Sequence, residues 1–145
     1  MPGSGKAKPI SFRLDPNLLD ELKRGASERG IPTTTLLERY LAEGIRHDAH
    51  PLIVFRDGAA GRRPALAGTR LDVWQVVDTI AAAEAKGEAA MREAAEYLGL
   101  TYGQIRACVA YYAAYKSEVD EWRERMRAIA EREREAWSRE QAILA

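Results

Sequence analysis

Residues 10–45 read ISFRLDPNLLDELKRGASERGIPTTTLLERYLAEGI, and the change of period inside this stretch decides the N-terminal fold. Ile10, Phe12 and Leu14 alternate with Ser11 and Arg13, the period of two that gives a strand one buried and one exposed face. Asp15 then offers an N-cap and Pro16 a first helical residue with a pre-set φ. Leu18, Leu22 and Ala26 follow at helical spacing until Gly30 stops the turn. Pro32 and the run Thr33, Thr34, Thr35 open a second helix, with Thr35 and Glu38 at capping-box spacing and Leu36, Leu37, Tyr40, Leu41 and Ile45 as its apolar stripe. One short strand and two helices bury too little surface to offset their ordering entropy, so the unit is expected to pair with a second copy.

The order strand, helix, Gly turn, helix over residues 8–47 resembles the ribbon-helix-helix family of bacterial repressors and antitoxins. The resemblance implies two intertwined chains, whose strands pair antiparallel into a ribbon that enters the DNA major groove. Carried over, Ser11 and Arg13 become the outward residues that read base edges, and Thr33, Thr34 and Thr35 fall where helix amides anchor a phosphate. A ribbon fits the major groove, and an Arg there reaches guanine with two hydrogen bonds. Lys6 and Lys8, on the arm before the ribbon, would add attraction to phosphates of any sequence. The chain departs from the family at Pro32, where Ser or Thr is frequent. A competing reading of Arg13 is a solvated residue on an open strand.

The chain has 145 residues, of which 46% are apolar and 30% charged, enough for one ordinary domain or two very small ones. No apolar run is long enough to cross a bilayer, and no charged-then-apolar leader opens the sequence. A lone Cys108 builds neither a disulfide framework nor a thiolate metal cluster, so a reducing cytoplasm is the expected compartment. The 22 basic and 22 acidic residues cancel, but residues 1–14 hold three bases and no acid, whereas 117–145 hold eight acids against six arginines. Such asymmetry suits contact with an anionic polymer at one end and a different partner at the other.

Residues 1–9 (MPGSGKAKP) are expected as a flexible arm, and residues 46–51 (RHDAHP) as a linker whose His47 and His50 are solvated, with no closed metal-ligand set nearby. Leu52 to Phe55, the turn signal Arg56-Asp57-Gly58 and the Gly-Arg-rich loop 58–70 predict a small strand pair. From Leu71 a helical period carries Val73, Trp74, Val76, Val77 and Ile80 into an alanine-rich stretch ending at Gly87. A helix over 88–98, a turn at Gly99 and a helix from Thr101 follow. Ala95, Gly99, Ile105 and Cys108 have helix-turn-helix spacing, which a purely structural corner shares. Trp74, Tyr97, Tyr111 and Tyr112 lie on apolar stripes and read as core. Cys108 reads as an inert buried thiol. Arg62, Arg63 and Arg70 read equally as phosphate contacts or as a solvated loop.

Residues 50–122 are similar to a VapB-type antitoxin domain long catalogued only as a domain of unknown function. The likeness rests on Arg63-Pro64, Gly68-Thr69-Arg70, Val73-Trp74, the run Glu93 to Leu100, and Ile105 followed by Tyr111-Tyr112. It implies a small helix-turn-helix protein that partners a ribonuclease toxin related to PIN domains.

From Ser117 the chain reads as one long helix with Val119, Trp122, Met126, Ile129, Ala136 and Ile143 near heptad spacing, interrupted by Glu133 and Glu140. No later element covers Trp122, Met126, Ile129 or Trp137, so these are expected on a partner-binding face, with Arg123, Arg127, Arg132 and Arg134 placed to meet acidic metal-binding residues of a toxin. No Ser, His and carboxylate stand in a recognisable catalytic context. The sequence therefore predicts a mainly α protein in four parts: an arm, a ribbon-helix-helix over 10–47, a small β-element with a helix-turn-helix over 50–116, and a C-terminal helix over 117–145. The expected function is that of a homodimeric, cofactor-free antitoxin that binds operator DNA and a PIN-like toxin. The rival is a stand-alone ribbon-helix-helix regulator without a toxin.

Overall fold

A computed structural model describes residues 5–145, and it is mainly helical with one small antiparallel sheet. The order is α1 (Pro16–Arg29), α2 (Thr33–Ala49), β1 (Ile53–Arg56), β2 (Arg63–Leu66), α3 (Val73–Ala82), α4 (Glu88–Leu98), α5 (Tyr102–Ala114) and α6 (Lys116–Leu144). The chain divides into two compact units, one running through Pro51 and the other from Leu52 to Ala145. The first four residues of the expected arm lie outside the described residues.

In the first unit α1 starts where Asp15 caps it. The carboxylate accepts from the amides of Asn17 at 2.9 Å and Leu18 at 3.3 Å, and Pro16 follows at a position that has no use for an N–H. Gly30 ends the helix at φ 64°, where its amide and that of Ile31 return to Ser27 and Ala26 carbonyls. The buried core of this unit is Leu22, Ala26 and Leu36, with Leu14, Ile31 and Leu37 packed against it. Ile10, Phe12, Leu18, Tyr40, Leu41 and Ile45 stay exposed. Residues 10–14 form no strand in the single chain, because a strand exists only by hydrogen bonds to a neighbour and the described residues of this unit hold no other. The expected Thr35–Glu38 capping box is absent. α2 begins three residues before a Thr35 cap would start it, at Thr33, because extended Pro32 (φ −61°, ψ 146°) already sets its entry, and no side chain caps it. The expected linker is also shorter than its composition suggests: helix α2 continues through Ala49, and the His50 amide closes its last turn on the Arg46 carbonyl at 2.8 Å.

In the second unit β1 and β2 pair as expected, in the register Ile53 to Leu66 and Arg56 to Arg63. Helices α3, α4 and α5 pack on one another and on the hairpin around Ile53, Leu66, Val73, Val76, Ile105, Cys108 and Tyr111. Helix α3 ends at Ala82, short of Gly87. Gly99 is left-handed at φ 66°, and Thr101 opens α5 by a capping box with Gln104. Tyr111 is fully buried, and its ring meets Phe55 edge-on and Tyr115 at 4.7 Å. Tyr97, read as core, is instead 81% exposed: it sits on the outer face of α4, whose inner face is filled by Ala90, Ala94 and Ala95. The long helix is not a separate part, since Val119 and Trp122 belong to the buried interior of this unit.

Candidate functional site

In the first unit, Phe12 and Leu14 line an apolar groove of about 410 Å³ with Leu18, Leu22, Leu37 and Tyr40. Ser11 and Arg13, the residues beside them, face solvent, as does Lys8. The alternation read in the sequence is therefore kept in part: Phe12 and Leu14 line the groove, and Ser11 and Arg13 are exposed beside it. Thr33, Thr34 and Thr35 form the first turn of α2. The Leu36 amide is the first to find an acceptor, the Pro32 carbonyl at 3.2 Å, and no side chain caps the turn. A helix start of this kind presents amide donors and a positive dipole end to an anion.

The motif residues of the second unit are consumed by its architecture. Asp72, buried ahead of α3, accepts from Arg63 Nε and from Trp74 Nε1 at 3.2 Å, while its own amide donates to Gln75 Oε1 at 2.8 Å. Thr69 Oγ1 donates to the Leu66 carbonyl and accepts from the Leu71 amide, and Arg56 donates to that same carbonyl at 2.9 Å. A Cβ at Gly58 would overlap the Arg63 guanidinium, which would have to shift to admit it. Arg63 thus ties the hairpin to the start of α3 and does not wait for a phosphate. Arg62 pairs with Asp57 at 3.2 Å, and Arg70 alone of these three stands exposed.

The α4–α5 corner has the expected geometry, with Ala95, Ile105 and Cys108 buried and the Leu100 amide returning to the Ala95 carbonyl at 2.9 Å. Its outer face is poorly equipped to read DNA. Gln104 is spent on the cap, and Tyr102 donates to Glu88 at 3.0 Å beneath the Arg92 guanidinium. That bond, with the Arg92 contact, holds the Glu88 carboxyl below its ordinary range, so a stable negative charge sits beside Arg106. Burial pushes the Cys108 thiol up to about 12, consistent with an inert core residue.

Helix α6 splits into a docked and an exposed part. Trp122, expected on a partner-binding face, is buried over Gly61, and the Arg125 guanidinium covers its ring at 4.5 Å while donating to the Ala60 carbonyl. Arg123, expected to meet a toxin, instead donates to Asp78 at 2.5 Å and Asp120 at 3.0 Å, and Arg127 also reaches Asp78, at 3.1 Å. The sequence reading missed Asp78, whose signal was a single acid within the apolar run VWQVVDTIAA. It also missed Tyr112 and Asp120, joined at 2.7 Å in the same network. Met126 and Ile129 are half-buried, while Arg132, Arg134 and Trp137 are exposed, with Arg134 paired to Glu131 within the helix. The sequence reading also missed an apolar groove of about 770 Å³ between α3, α4 and α5, lined by Val77, Ile80, Met91, Val109 and Ala113 and bordered by Arg106.

Among the described residues no group of three or more His, Cys, Asp or Glu is placed to hold a metal ion, and no helix is long and apolar enough to cross a membrane. No curated protein and no solved structure matches the chain. A family model described as "Protein of unknown function (DUF433)" matches residues 53–112, from the start of β1 to Tyr112 in α5.

Proposed function

We propose that the protein is a homodimeric DNA-binding antitoxin, whose first unit reads operator DNA and whose second unit, with the outer face of α6, engages a ribonuclease toxin. The observation that carries the DNA part is the half-built core of the first unit. Phe12 and Leu14 line an apolar groove, and Ile10, Tyr40, Leu41 and Ile45 lie exposed around a buried core of three residues. A second copy whose segment 10–14 pairs antiparallel with the first would cover that surface. It would leave Ser11 and Arg13 on the outer face of the ribbon, with Thr33 to Thr35 as the phosphate anchor. The acid-free N-terminal segment adds the electrostatic attraction.

The toxin part is supported by the half-buried Met126 and Ile129 at the middle of α6 and the exposed Arg132, Arg134 and Trp137 beyond them. Trp122 and Arg123 would act there by fixing the helix.

The test has two arms. Purified full-length protein is titrated against DNA from upstream of its own gene and against unrelated DNA at several salt concentrations, and it is co-expressed with the product of the adjacent gene. Tighter binding of the upstream DNA by a dimer, together with co-purification of a neighbour whose ribonuclease activity it suppresses, is the expected result. Upstream binding without any co-purifying neighbour would favour a stand-alone regulator, and no preference for upstream DNA would overturn the reading.

A further inference from the structure

The second unit carries two unsatisfied apolar surfaces. One is the groove between α3, α4 and α5, with Val77, Ile80, Met91 and Val109 along it. The other is the end of α6, where Trp137, Ile143 and Leu144 are 61%, 84% and 79% exposed. Ala136-Trp137 and Ile143-Leu144 recur seven residues apart, so they share one side of the helix. A chain cannot join its own two surfaces. Arg123 borders the groove, and from there α6 continues unbroken, placing Trp137 about 21 Å further along at 1.5 Å per residue.

We propose that residues 130–144 of α6 seat in this groove of a second copy of the chain, each copy giving its helix end and receiving the other's. The exchange obeys a two-fold axis, so one complementary contact is made twice, as isologous dimers require. Fifteen helical residues span about 22 Å, and the two-fold axis makes that contact twice. Charge selects this arrangement over a coiled coil of two α6 ends. Glu133 and Glu140 lie on the seam, where a symmetric coil would set carboxylates against carboxylates, whereas the groove borders them with two bases, Arg106 and Arg123, against one carboxylate, Glu88. The inference goes beyond the DNA and toxin readings and stands without them. If a toxin does use the α6 face, it must displace a second copy first.

The experiment uses the full chain carrying Met91→Cys with Trp137→Cys, compared under mild oxidation with each single variant and with Met91→Cys plus Glu135→Cys, whose second thiol faces away from Trp137. Buried Cys108 stays out of the reaction. Covalent dimer forming at least tenfold faster in the Met91/Trp137 pair than in the other three supports the exchange. Arg106→Glu should then slow it, and adding Glu133→Arg with Glu140→Arg should restore it. Equal rates in all four proteins, or joining as fast in Trp137→Cys alone, would overturn the proposal, the latter in favour of a coiled coil. The outcome does not depend on whether the protein binds DNA or a toxin.

Discussion

Arg123 on α6 donates from Nε to Asp78 Oδ1 on α3 at 2.5 Å, across a sequence separation of 45 residues, and its Nη1 donates to Asp120 at 3.0 Å on its own helix. Both guanidinium and carboxylate are mostly shielded from solvent, so removing Arg123 leaves the desolvated Asp78 carboxylate with only the exposed Arg127 as its partner. Arg123→Ala should cost about 1–3 kcal/mol of second-unit stability. The conservative Arg123→Lys should recover part of that, because an ammonium cannot serve Asp78 and Asp120 with two fixed donors. Urea unfolding followed by far-UV circular dichroism measures both.

Cutting the chain at two places separates the docked from the exposed half of α6. Truncation after Lys116 removes Val119 and Trp122 from the core and should unfold the second unit or leave it molten. Truncation after Ala130 removes only exposed or half-buried residues and should leave the second unit folded and melting cooperatively, losing only the stabilisation that contact with a second copy supplies. A second unit that stays folded after the cut at Lys116 would show that α6 is an appendage.

Two groups shape the pH dependence. Asp120 is held at about 2, by Lys116 first and then by Tyr112 and Arg123. Its folded value lies below the ordinary carboxylate range near 3.9, so its stabilisation is present above that range and is lost as pH falls from there toward 2. Asp120→Asn should flatten that acid limb of the stability curve.

Cys108 has the opposite sense. Its thiol is raised to about 12 by burial, above an unfolded value near 8.5, so stability is unaffected below that value and declines as pH rises toward 12. The folded protein should resist a thiol reagent at neutral pH, reacting only as it unfolds, and Cys108→Ala should remove the alkaline decline.

The first unit makes a paired prediction. Phe12→Glu puts a carboxylate into the groove that a second copy would cover, and should abolish both dimerisation through this unit and DNA binding. Arg13→Ala should leave the assembly intact and weaken operator binding by about 1–3 kcal/mol, with the salt dependence little changed. Sedimentation and fluorescence anisotropy on the two variants decide between them, and an Arg13→Ala protein with full operator affinity would move the reading face elsewhere.

Local signals in the chain fix local structure. Asp15-Pro16 and Gly30 bound α1, Gly99 and Thr101 set the α4–α5 corner, and Arg56-Asp57-Gly58 leads into the loop between β1 and β2, because caps and turns depend on residues within a few positions of each other. The burial of Cys108 and Tyr111 was legible too, since both lie on the apolar side of α5. Where local patterns failed, a distant or competing group had prevailed. Pro32 started α2 without the Thr35 cap, and the small inner face of α4 turned Tyr97 outward.

The sequence by itself determined the bounds of α1, the hairpin and the α4–α5 corner, since period and capping are properties of neighbouring residues. Only the tertiary structure decided what the arginines and the long helix do. Arg63 was claimed by Asp72 at the next element, and Arg123 and Arg127 by Asp78 and Trp122 by Gly61 across more than forty residues. A guanidinium or an indole carries the same pattern in sequence whether it meets solvent, a partner or its own fold. Its partner is chosen by packing, which brings a carboxylate or a glycine to it through space.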